Sequence, residues 1–115
     1  MNDLNPTTVP NEEAIRGLLS DLITRKSETK FRVLKTLSAM DERWHSLKEI
    51  SESAAKIGVG TAHLFENLVE LTRTSNLIES DYVEKRFPRL TNFRIFPHSV
   101  SLLRRIMRDY ESRDF

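Results

Sequence analysis

The chain has no cysteine among its 115 residues. That removes thiolate metal sites, iron–sulfur clusters, disulfide frameworks and cysteine nucleophiles together. Glycine and proline are scarce, at three and four residues, so the chain is neither linker-like nor low in complexity. No apolar run approaches the ~20 residues that span a bilayer, and the first ten, MNDLNPTTVP, carry an acid where a secretory leader carries bases. These absences predict a soluble, cytoplasmic chain with no membrane partner. The length predicts one domain that buries roughly two thirds of its unfolded surface without any staple. Charge of neither sign dominates, with 18 Lys and Arg against 17 Asp and Glu. The net charge of +1 is therefore uninformative until it is read by segment.

Residues 1–10 show no helical or strand period and are expected to form a flexible arm. From Asn11 the apolar residues Ile15, Leu18, Leu19, Leu22 and Ile23 repeat as one helical stripe. Asn11 is placed to cap that helix, and Glu12 and Glu13 sit at its positive end. A second helix after Ser27 turns Phe31, Leu34, Leu37 and Met40 inward, leaves Val33 on the flank and keeps Lys30, Arg32 and Lys35 wet. After the short apolar pair Trp44-His45 comes Ser46-Leu47-Lys48-Glu49, which has the form of a capping box. It predicts a third helix that buries Leu47, Ile50, Ala54 and Ile57 and ends at Gly58. Only Val59 and Gly60 then precede a fourth periodic run, Thr61 to Arg73, with Ala62, Leu64, Phe65, Leu68 and Leu71 on or near its inner side. Two helices joined so tightly must cross steeply. Asn76 is the expected left-handed terminator of the second.

Beyond Asn76 the period changes. Residues 77–84 and 92–96 read as the strands of a hairpin with a long tip containing Pro88. Pro97 stops the second strand. Ser99 is placed to cap a last helix striped by Val100, Leu103, Met107 and Tyr110 and widened by Leu102 and Ile106, with Arg104, Arg105 and Arg108 on its other face. The expected class is mainly α with a small β-hairpin. The divisions are an arm at 1–10, an N-terminal helix at 11–26, a central domain at 27–97 and a C-terminal helix at 98–115.

In Lys30 to Met40 (KFRVLKTLSAM), Ser46 to Gly58 (SLKEISESAAKIG) and Thr61 to Ile78 (TAHLFENLVELTRTSNLI), the chain resembles the small winged helix-turn-helix regulators of the MarR, ArsR and PadR kind. The likeness covers residues 28–96. It departs from that pattern after the fourth helix, where Thr-Arg-Thr-Ser-Asn separates Leu71 from Leu77-Ile78 and Asn76 stands in place of glycine. The resemblance implies a winged helix-turn-helix with extra flanking helices, double-stranded DNA as partner and transcription regulation as function. It implies that Thr61, His63 and Asn67 face bases, since the N-terminal half of such a recognition helix lies in the major groove.

The basic residues are the expected phosphate contacts, with a solubilising surface as the alternative. Lys85, Arg86, Arg89 and Arg94 place four positive charges between residues 85 and 94 with no acid among them. Lys30 and Arg32 lie near a helix N-terminus, where phosphate is also attracted, and Arg73 ends the recognition helix. Glu66 and Glu70 fit this reading poorly, because carboxylates repel phosphates. They equally suit a solvated helix face. They also motivate a second reading, a winged-helix protein-interaction module whose recognition-helix face meets a basic partner.

The apolar stripes outside the minimal domain, Ile15, Leu18, Leu19 and Leu22 with Leu103, Met107 and Tyr110, suggest a two-fold homodimer bound to nucleoid DNA. The alternative is that both helices fold back on their own core. Catalysis has no motif. His45, His63 and His98 lack metal-ligand spacing and read as surface or cap residues, and no phosphate loop or nucleophile elbow occurs. No enzyme, cofactor or metal is expected.

Overall fold

The computed structural model describes residues 9–24, 28–81 and 91–111. The arm at 1–8, Ser27 and most of the hairpin tip lie outside them. The described elements run α1 (Glu12–Thr24), α2 (Glu28–Ala39), β1 (His45–Ser46), α3 (Leu47–Lys56), α4 (Leu64–Ser75), β2 (Ile78–Ser80), β3 (Asn92–Ile95), a 3-10 turn at Pro97–Ser99, and α5 (Val100–Glu111). The chain is mainly helical with one three-stranded antiparallel sheet in the order β1-β3-β2. The expected hairpin thus gains β1 along the free edge of β3, with His45 opposite Phe93 and Ser46 opposite Asn92.

Local chemistry sets the helix ends. Asn11 Oδ1 accepts from the Ala14 N–H at 2.8 Å to start α1. The capping box of α3 closes in both directions: Glu49 N–H donates to Ser46 Oγ at 3.1 Å, and Ser46 N–H donates to Glu49 Oε1 at 3.0 Å. At the other end of α3, Gly58 takes φ 78°. There Val59 N–H reaches Ala54 O and Gly58 N–H reaches Ala55 O, the paired bonds of a Schellman ending. That ending corrects one expectation. Ile57 is 51% exposed because the helical period stops before it, and Val59, redirected by Gly58, is buried at 5% instead. Asn76 ends α4 with φ 56°, as its residue type predicts.

Helix α2 is the centre of the molecule and packs against α1, α3, α4, α5 and β3. Being enclosed on several sides, it buries Val33 completely rather than leaving it on a flank. Even Thr36 and Ser38 are buried, and their hydroxyls donate to the backbone oxygens of Arg32 and Lys35. The expectation for His45 is overturned: strand alternation turns it inward and leaves Trp44 39% exposed. His45 therefore is not a surface residue. Its Nε2 lies 3.0 Å from the Asp41 backbone oxygen.

The flanking helices close this same core. Ile15, Leu19, Leu22, Leu103, Met107 and Tyr110 are all buried within the single chain, and Leu18 is half-buried. The proposed dimer interface is corrected accordingly: the stripes of α1 and α5 face each other and α2, and six of its seven residues are buried in the single chain's own core. Polar bonds secure the closure. Arg16 bridges Glu12 at 2.9 Å and Asp109 at 2.7 Å, and Arg105 reaches Glu12 at 2.7 Å. Tyr110 Oη donates to the Arg16 carbonyl and lies 2.8 Å from Ser20 Oγ. Arg104, expected on the wet face, instead donates to the Ser38 and Met40 carbonyls at 2.6 Å each and caps the C-terminus of α2.

Candidate nucleic-acid interface

The link from α3 to α4 determines what is presented to solvent. After Val59 is pinned in the core, Gly60, Thr61, Ala62 and His63 are all exposed before Leu64 re-enters it. Helix α4 begins later than the sequence period suggests. Thr61 and Ala62 belong to the turn, whose Leu64 N–H donates to Thr61 O at 3.2 Å, and Ala62 accordingly faces water rather than the core. His63 is the N-cap residue but makes no side-chain capping bond. Its imidazole is 83% exposed, with Nδ1 3.7 Å from Glu66. This start of α4 meets the start of α2 in a shallow depression lined by Thr29, Gly60, Ala62, His63 and Asn67. The structure thus brings Thr61, His63 and Asn67 together at one exposed helix end that has no side-chain cap, where their polar groups can donate and accept.

The cations are placed differently from the expectation. Lys30 Nζ lies 2.7 Å from Glu70 Oε1, which ties α2 to the outer stripe of α4. Arg32 pairs with Glu28 one turn earlier at 2.6 Å. Arg94 donates from Nε to Glu79 at 2.8 Å while its guanidinium lies 4.6 Å over the Trp44 ring. None of these three stands as an unpaired phosphate ligand. Arg73 is exposed on α4, beside a groove that also contains Phe65, Glu66, Val69, Glu70 and Thr74. Lys85, Arg86 and Arg89 lie outside the described residues. The segment that carries them is closed at its base by Asp81, which accepts from Asn92 N at 2.6 Å and from Asn92 Nδ2 at 2.8 Å.

Sequence reasoning missed the three carboxylate partners. Glu28 was legible as an i, i+4 neighbour of Arg32. Glu79 was not, because it meets Arg94 only through the register that sets these two residues opposite each other. Nor was Glu70, which meets Lys30 across a helix–helix contact. Elsewhere the carboxylates of Asp41, Glu49 and Glu12 are held low. Asp41 falls to about 2 under bonds from Arg43, Glu49 falls through the Ser46 backbone N–H, and Glu12 falls through Arg16. Each is clamped by its neighbours within the fold. Among the described residues no group of three or more His, Asp or Glu is placed to hold a metal ion, and no helix is long and apolar enough to cross a membrane.

No protein-family model, no curated protein and no solved structure matches this chain.

Proposed function

We propose that the chain is a winged helix-turn-helix domain that binds double-stranded DNA as a sequence-specific transcription regulator, at work on nucleoid DNA in the cytoplasm. The exposed, uncapped start of α4 carries this reading. It offers Thr61, His63 and Asn67 to base edges. The element order and the β1-β3-β2 sheet support it, with α3 as positioning helix, α4 as recognition helix and the basic loop between β2 and β3 as wing. Arg73 follows the same groove toward the backbone, and Lys85, Arg86 and Arg89 supply the wing's phosphate contacts. The reading needs no second subunit, since α1 and α5 complete the core of one chain.

The direct test is selection of bound sequences from a random duplex pool, followed by binding of the enriched site to Asn67→Ala. Enrichment of a defined motif, with relaxed preference at one base pair in the variant and a loss of about 1–3 kcal/mol there, supports the assignment. An unenriched pool refutes it.

One observation favours a second reading. The groove beside Phe65 and Val69 is edged by Glu66 and Glu70, a combination suited to a basic amphipathic protein segment. Absence of duplex binding even at ~50 mM salt, where phosphate contacts are strongest, favours that module over a DNA reader.

A further inference from the structure

Three of the cations that a DNA-binding face would use are already held by this chain's own carboxylates: Lys30 by Glu70, Arg32 by Glu28 and Arg94 by Glu79. The first pair is the most informative. Glu70 lies one turn beyond Asn67 on the same outer stripe of α4 as His63, so it stands where DNA would pass. Its side chain is 55% exposed, against 25% for Lys30. With Glu70 more than half exposed, the pair contributes only modestly to the fold. Toward DNA, however, the pair has a definite consequence. It removes one positive charge from the face, adds a group that repels phosphate, and leaves Lys30 to be recovered only by exchange of a carboxylate for a phosphate oxygen.

We infer that Glu70 is a specificity-determining residue, which suppresses indiscriminate binding by holding Lys30 away from phosphates until base contacts from Thr61, His63 and Asn67 bring the duplex close enough for the exchange. The inference rests on the DNA-binding reading above. It converts the most awkward feature of that reading, an acidic recognition helix, into a working part. Non-specific affinity is almost entirely a matter of phosphate neutralisation, whereas specific affinity adds base contacts. A carboxylate that cancels one cation therefore lowers the first more than the second and widens the gap between them.

The experiment compares wild type, Glu70→Gln, Lys30→Gln and the double variant for binding to a mixed-sequence duplex and to a duplex selected by the wild type, over a range of salt. Thermal unfolding of each variant shows that the fold is kept. Glu70→Gln is expected to tighten mixed-sequence binding about three- to ten-fold and to steepen the log–log salt dependence by about 0.9, the release expected for one more phosphate contact. The selected duplex gains less, so the ratio between the two falls. In the Lys30→Gln background the gain disappears. Unchanged mixed-sequence affinity in Glu70→Gln, with wild type still bound to its selected duplex, overturns the inference and leaves DNA binding standing. So does a gain that persists without Lys30. Failure of every variant to bind either duplex removes the DNA reading, and the inference falls with it.

Discussion

At the residue scale, the two left-handed positions show how a side chain's physics is read directly. Gly58 has φ 78° and nothing within 4 Å of where a Cβ would stand, so Gly58→Ala meets backbone strain and no clash. It should destabilise the fold by roughly 1–2 kcal/mol, measured by urea unfolding. Asn76 at φ 56° tolerates the same region by residue type. The clamped carboxylates give a pH dependence of definite sign. Asp41, Glu49 and Glu12 all titrate below their ordinary values of 3.8 and 4.5. Their contribution is therefore complete above those values and is lost as pH falls through the folded ones, which for Asp41 is about 2. Urea midpoints should be level near pH 6 and decline from about 4.5 downward, with a flatter decline below pH 4 in Asp41→Asn.

At the element scale, the prediction concerns what α1 and α5 cover. Leu103 is fully buried against this chain's own core. Leu103→Ala should cost about 2–5 kcal/mol, and the wild-type unfolding midpoint should not change with protein concentration, as it would if the two helices were shared between subunits. Most elements were legible in the sequence, because stripes such as Ile15, Leu19 and Leu22 and caps such as Asn11 and Ser46 encode their own local geometry. The errors fall where local pattern gives way to tertiary placement. Ile57 kept the period but lay past the Schellman ending. Val33 stood off the stripe of a helix that proved to be packed on several sides. His45 read as a surface or cap residue but is turned inward by β1 joining the sheet. The apolar stripes of α1 and α5 read as a dimer seam, with closure on their own core as the alternative, because a stripe does not say what covers it; the packing on α2 shows the second.

At the scale of the whole molecule, the near-neutral charge resolves into a deliberate-looking distribution of pairs. Lys30 and Arg32 on α2 and Arg94 on β3 are each matched by a carboxylate, Glu70, Glu28 and Glu79, while the cations at 85, 86 and 89 follow one another with no acid between. The candidate base-reading residues were named through the winged-helix resemblance, and their exposure follows from the tight turn before α4, a local property. The neutralising partners were not, since they depend on register and helix packing. The central claim, that this surface binds duplex DNA with the segment at 85–89 on the phosphates, is tested most directly by the salt dependence of binding to a mixed-sequence duplex. Wild type and an Arg86→Ala, Arg89→Ala double variant are compared from ~50 mM salt upward. The account predicts binding by the wild type and a log–log slope shallower by about two in the variant. Equal slopes, or no binding by the wild type at the lowest salt, would contradict it.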